Sequence, residues 1–226
     1  MYNFWTVTVL RVVTLFFICA VGLAMFFYPG GNIHEPAQSG YSLTHNFLSD
    51  LGGLLSRSGE PNIISAVLFN TAMILFLGVG IGFLFASKLF QKSRIDYVLA
   101  TVGSMCFFFG TIFFAGVGLT PHDLLQETHV FFALNAFRLL IPGAFAYLIV
   151  LLRSPVENKY ALVTMVYLIC TFAYVIYQMV DGSPLDSAQE MIEQATIQKL
   201  IALVSVGTIF SLSFAFSSQL KRVGLR

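Results

Sequence analysis

Residues 62–87 read N-I-I-S-A-V-L-F-N-T-A-M-I-L-F-L-G-V-G-I-G-F-L-F-A-S, a run without a single charged side chain. As a helix rising 1.5 Å per residue it covers roughly 39 Å, more than the ~30 Å hydrocarbon layer of a bilayer. Strands of a membrane barrel are shorter and alternate apolar with polar residues. This run does neither, so a helix is the form that satisfies its backbone in lipid. Five similar runs accompany it, at about 4–28, 97–120, 128–152, 160–180 and 195–218. The fold class is therefore all-α: a polytopic membrane protein with one integral domain over residues 1–226, a six-transmembrane-helix bundle.

Composition agrees. Of the 226 residues 57% are hydrophobic and 10% charged, against about 25% charged in soluble domains. The net charge of +1 offers nucleic acid no electrostatic footprint, and the lipid bilayer is the expected partner. Cys19, Cys106 and Cys170 fall inside the runs, where they read as apolar residues and not as a disulfide framework. The first run continues through Met25-Phe26-Phe27-Tyr28, longer than a signal-peptide core, and reads as a retained helix.

Six spans put both termini on one side. Lys88, Lys92 and Arg94, then Arg153 and Lys159, then Lys221, Arg222 and Arg226 cluster on that side, which the positive-inside rule makes cytoplasmic in a multi-pass cell-membrane protein. The opposite segments, 29–61, 121–127 and 181–194, hold Arg57 as their one basic residue. They also hold Glu35, Asp50, Glu60, Asp123, Glu127, Asp181, Asp186, Glu190 and Glu193, together with His34, His45, His122 and, at the start of the fourth run, His129.

Between the first two runs, Leu43, Phe47, Leu51 and Leu54 or Leu55 recur at helical spacing, beside a stripe of His45, Ser49, Gly52 and Ser56. The pattern predicts a short extracytoplasmic interfacial helix over 42–56, N-capped by Ser42 and ended by Gly59 and Pro61. Ser187-Ala188-Gln189-Glu190 resembles a capping box, so helix 6 should begin before the membrane. Pro142-Gly143 predicts a kink in helix 4. Gly78 to Gly82, Gly103, Gly110, Gly116 and Gly118 predict close helix packing.

Ionisable groups at membrane depth are expensive to bury. Arg138, near Asn135 in helix 4, needs a partner or a water-filled cavity, whereas Lys199 sits near the outer end of helix 6 and reads as snorkelling. Asn70 and Gln178 read as interhelical hydrogen-bonding residues. A denser set lies at the outer rim, where Pro121-His122-Asp123 and Glu127-Thr128-His129 bracket the 3–4 loop and face His45, Ser49 and Asp50 from the 42–56 stretch. His45, His122 and His129, or two of them with Asp50 or Asp123, could supply three ligands to a catalytic zinc ion. A free carboxylate could act as general base and Ser49 as an oxyanion donor.

Asn46-Phe47-Leu48-Ser49-Asp50-Leu51-Gly52 after helix 1, Asn70 in helix 2, Pro121 with Asp123 after helix 3, and His129 opening helix 4 resemble the pattern of the bacterial and archaeal membrane-protein family catalogued as domain of unknown function 998. The resemblance covers nearly the whole chain. It implies a six-helix fold and a shared polar site in which Ser49, Asp50, Asp123 and His129 matter more than His45 or His122. The Ser, Asp and His inventory is more distantly similar to the membrane hydrolase superfamily of the alkaline ceramidases. Those proteins carry seven helices and a late paired histidine motif, and no histidine follows His129 here.

The expected site is thus Ser49, Asp50, Asp123 and His129, with Asn46 and Asn70 as further ligand-binding residues. Three functions are compatible with it: binding or helping to move a lipid headgroup or small solute, hydrolysis of a lipid with or without zinc, or a structural partnership in a membrane complex.

Overall fold

A computed structural model describes residues 1–180 and 182–225; Asp181 and Arg226, counted above among the outer acids and the basic tail, lie outside the described residues. Six helices follow one another: α1 (Phe4–Phe27), α2 (Ile63–Ala86), α3 (Arg94–Leu119), α4 (Gln126–Arg153), α5 (Asn158–Val180) and α6 (Ala188–Val223). All six are long and apolar enough to cross a membrane, and no strand occurs among the described residues. The first turns of α1, Phe4–Val9, are π-helical, and α2 tightens into a 3₁₀ turn at Ser87–Phe90.

Local chemistry sets the helix limits. Ser187 Oγ accepts the Glu190 N–H at 3.1 Å, so α6 starts where its capping signal lies, well ahead of its apolar run. It ends after Lys221 and Arg222 at Gly224, whose φ of 70° suits a residue without a β-carbon. Helix α4 passes through Pro142 as one uninterrupted element. Beside it, Gly103 of α3 meets Gly143 of α4. A β-carbon on Gly143 would stand 3.3 Å from the Gly103 carbonyl oxygen and 3.1 Å from the Phe107 ring, which is the close backbone approach that small residues permit.

The chain start, the end of α2 and the end of α6 share one end of the bundle. Tyr2 packs edge-on against Phe85, and Gln219 Nε2 donates to the Leu89 carbonyl at 3.0 Å. An aromatic layer closes the interior there. Phe83 stacks on Phe107 with ring centroids 4.3 Å apart, and Tyr147 and Phe216 meet Phe83 edge-on. Tyr147 donates to Ser104 Oγ (2.7 Å), which donates to the Phe83 carbonyl (2.6 Å), so the buried hydroxyls in this layer are satisfied.

At the other end the structure corrects the expected helix over 42–56. Only Leu48–Gly52 is helical, as a short 3₁₀ segment, and Phe47 before it is extended (φ −72°, ψ 153°). The periodic leucines misled because Asn46 and Asp50 compete for the backbone. The Asn46 side-chain oxygen accepts the Ser42 N–H at 3.0 Å, and Asp50 Oδ2 accepts the Phe47 N–H at 2.9 Å. Such bonds replace helical ones. Nor does its middle lie along a surface: Leu43, Leu54 and Leu55 are exposed at the flanks, but Leu48, Asp50 and Leu51 are buried, so the 3₁₀ segment is a plug set into the end of the bundle.

Candidate functional site

The plug is attached largely through its own backbone. Asn62, the residue before α2, donates through Nδ2 to the carbonyls of Leu51 (3.1 Å) and Gly53 (2.9 Å). Ser65 Oγ also reaches Leu51 O (3.1 Å), and Asn70 Nδ2 reaches Gly52 O (3.0 Å). From α6, Gln198 Oε1 accepts the Leu48 N–H at 2.7 Å, and the Lys199 ammonium donates to the Asn46 carbonyl and to Ala195 O. Lys199 therefore does more than snorkel: it ties the plug to α6. The glycines of the S-D-L-G-G run have a spatial reason. A β-carbon on Gly52 would fall 2.6 Å from Asn70 Oδ1, and one on Gly53 would fall 2.5 Å from His122 Cε1.

Asp50 is wholly buried and saturated with donors. Its Oδ1 takes the Arg57 Nε–H at 2.9 Å, and its Oδ2 takes the Phe47 N–H at 2.9 Å and the Asn46 amide at 3.2 Å. Tyr28 adds to the frame by accepting the Arg57 N–H at 3.0 Å. Burial first, and the Asp50 charge second, push the Tyr28 and Tyr41 hydroxyls upward, so both are neutral donors. Asp123 is equally committed: its two oxygens accept the N–H groups of Leu54 (3.1 Å) and Leu55 (3.0 Å) and fasten the 3–4 loop to the plug. The two predicted carboxylates thus meet the plug as fasteners.

The histidines divide. His45 bonds locally to Ser42 Oγ and Thr44 Oγ1, and His34 reaches the Pro184 carbonyl at 2.9 Å. His122 and His129 come together, with ring centroids 6.2 Å apart. His122 Nε2 lies 3.9 Å from Asp50 Oδ1, beyond a hydrogen bond, and its Nδ1 is buried without a partner. Burial, and then the Arg57 charge, lower His122 to about 4 against the opposing pull of Asp50, so this ring is neutral at neutral pH. Among the described residues no three His, Cys, Asp or Glu side chains are gathered as a metal-binding set. Of the expected zinc ligands, His122 lies beside Asp50 and His129, but His45 is held by its own neighbours and Asp50 by Arg57.

Below the plug lies a cavity of about 90 Å³ to which every helix contributes. Leu48 and Ser49 of the plug, His129 of α4 and Gln198 of α6 form its rim, and Phe17, Met73, Phe114, Phe137, Tyr167 and Val206 are among its walls. It follows α4 from His129 to Leu140 and α6 from Gln198 to Ile209, a depth of roughly 16 Å at the helical rise. Phe107 and Val79 border its deep end, and Phe83 and Tyr147, in the fully packed aromatic layer, lie just beyond. The cavity is blind on that side.

His129 is 4% exposed. Its Nδ1 lies 2.7 Å from the Thr120 carbonyl oxygen, so Nδ1 carries the proton and donates; Nε2 is left buried with no partner. Ser49 sits on the same rim. Arg138 stays outside this site, exposed on α4 with Asn135 Oδ1 at 3.4 Å.

In comparisons with known proteins, no family model, curated protein or solved structure matches the chain. The site is therefore read from its geometry. Sequence reasoning reached Asn46, Ser49, Asp50, Asn70, Asp123 and both clustered histidines but missed Arg57, Asn62, Ser65 and Gln198. Two of these carried a signal: Asn62 occupies the position before an apolar helix, where capping residues gather, and Gln198-Lys199 is a polar pair inside an apolar run.

Proposed function

We propose that this is a multi-pass membrane protein, with the plugged end outside and both termini cytoplasmic, that binds a small, largely apolar solute in its bundle cavity. The positive-inside distribution of Lys and Arg supports the orientation. The observation that carries the binding reading is the largely apolar cavity rimmed by a few convergent polar groups, one of them the buried and unpartnered Nε2 of His129. The aromatic floor favours binding over passage from one side to the other. Kinship with the family carrying the S-D-L-G element belongs to the same proposal.

Hydrolysis has one observation in its favour, the presence of Ser49 and His129 on a common rim. Against it, Asp50 and Asp123 are occupied as acceptors and His129 Nδ1 bonds a backbone carbonyl, so the histidine has no carboxylate to orient it.

Native mass spectrometry of the protein released from its membrane tests the reading. Wild type should carry an apolar adduct that Ala202→Phe, which fills the cavity wall, loses. Equal occupancy in both would sink it. Release of fatty acid from an added monoester, abolished by Ser49→Ala, would establish the hydrolytic alternative instead.

A further inference from the structure

Arg138 is a cation at membrane depth that the bundle cavity does not use. It is exposed on α4, and among the described residues its hydrogen-bond partner is Asn135 Oδ1, at a long 3.4 Å. Asn135 is itself committed, through Nδ2, to the Phe131 carbonyl at 2.8 Å. Arg57 and Arg153 are held by Asp50 and Asp96, but no carboxylate among the described residues lies within 4.0 Å of Arg138. Most of the five N–H donors of its guanidinium are therefore unspent.

The position along α4 sets the level of this charge. At the helical rise Arg138 stands roughly 22 Å from Arg153 at the far end of α4. A ~30 Å hydrocarbon layer measured from Arg153 ends about 8 Å beyond the Arg138 backbone, a span that an arginine side chain covers by snorkelling. The guanidinium thus reaches the level of the lipid phosphates in the leaflet at the plugged end. Directly beneath it runs a groove. Residues three, four and seven places after Arg138 share its face of the helix. These are Ile141, Pro142 and Phe145, which form one wall, and Leu168, Ile169 and Phe172 of α5 form the other. The groove holds about 580 Å³, where about 150 Å³ suffices for one benzene. Phe145, Ile169 and Phe172 are exposed along it, so it is open to the surrounding hydrocarbon.

A second copy of the chain does not suit this face. Residues 130–156 and 158–180 contain no Asp or Glu, so two copies joined there would set Arg138 against apolar side chains or its own counterpart. A phospholipid supplies both missing parts. Its phosphate matches a guanidinium in bidentate geometry, and its acyl chain matches the groove. We infer that the α4–α5 face is a binding site for one anionic phospholipid of the leaflet at the plugged end, with its phosphate on Arg138 and an acyl chain in the groove. The site lies outside the bundle and does not depend on what the inner cavity takes.

The test uses the full-length protein in detergent, exposed to equimolar phosphatidylglycerol and phosphatidylcholine of identical chains, with retained lipid identified by native mass spectrometry. Wild type should keep one phosphatidylglycerol about fivefold better than phosphatidylcholine, the effect of one basic residue on an anionic lipid. Arg138→Gln should bring the two to parity with an unchanged melting temperature, and Arg138→Lys, which keeps the charge without the planar fork, should restore part of the preference. Ala173→Phe, which fills the groove, should reduce retention of both lipids. In a Trp5→Phe background, the indole introduced by Phe172→Trp should be quenched more by phosphatidylglycerol with brominated chains than by brominated phosphatidylcholine. Equal retention of the two lipids by wild type, a preference that survives in Arg138→Gln, or equal quenching by both brominated lipids would each overturn the assignment. A wild-type dimer that Ala173→Phe dissociates, without lipid preference, would replace it with a contact between copies.

Discussion

At the scale of single residues, the informative groups are those whose hydrogen bonding is complete and those where it stops. Asp50 is complete. Asp50→Asn keeps the shape but leaves the Arg57 guanidinium without its counter-charge. Loss of one member of a fully buried pair costs about 3–5 kcal/mol. Arg57 retains 28% side-chain exposure, which reduces the expected cost to roughly 2 kcal/mol. Thermal unfolding in detergent should show that loss, with occupancy of the cavity by its apolar adduct unchanged; a normal melting temperature with altered occupancy would make Asp50 a ligand group instead. His122 gives a pH dependence. Its folded-state value is lowered to about 4 from 6.5, so between those pH values the unfolded ring binds a proton that the folded ring refuses. Stability is complete above about pH 6.5 and falls as pH drops toward 4, by on the order of 3 kcal/mol. Of the charged and titratable groups facing that ring, Arg57 and His129 reinforce the lowering while Asp50 and Asp123 oppose it. Melting curves across this range should slope downward with acid in wild type, and the slope should flatten in His122→Gln.

At the scale of elements, the plug depends on partners remote in sequence, and this decides what could be read in advance. The six long helices were legible because length and apolarity suffice to specify them, and the start of α6 was legible because Ser187 and Glu190 are local to each other. The 42–56 stretch was not. Its periodicity favours a helix, yet its backbone is claimed by Asn62, Ser65 and Asn70 of α2, by Gln198 and Lys199 of α6, and by its own Asn46 and Asp50. No window of neighbouring residues contains those bonds. The clustering of Asp50 with the 3–4 loop could be anticipated from residue types, but the fastening role of Asp123 could not, since it depends on the exposed N–H groups of Leu54 and Leu55. Asn62→Ala removes the one side-chain donor to Gly53 O and one of two to Leu51 O, so amides of the 48–56 segment should exchange with solvent about tenfold faster or more while those of α3 and α4 are unaffected. Gly53→Ala should do the same by forcing the His122 ring aside; unchanged exchange in both variants would mean the plug is held by packing alone.

At the scale of the whole molecule, apolar residues face outward on every helix, among them Val12, Leu75, Phe109, Phe145, Phe172 and Leu203, as expected of a bundle whose solvent is hydrocarbon. Polar groups gather at the plugged end and cationic ones at the other. Cysteines placed singly at Ser58 and at Lys92 of a cysteine-free variant test the proposed orientation in intact cells. A membrane-impermeant maleimide should label the first and spare the second, and the reverse pattern would invert the topology. The closed floor has an electrical consequence. Phe83, Phe107, Tyr147 and Phe216 fill the axis with packed rings, and the Tyr147 hydroxyl and that of Ser104 beside it are already paired. In a bilayer this layer is an insulator set toward the end of the bundle that carries the chain start, with no file of charged ion ligands among its side chains. A membrane crowded with this protein should hold its voltage as tightly as bare lipid.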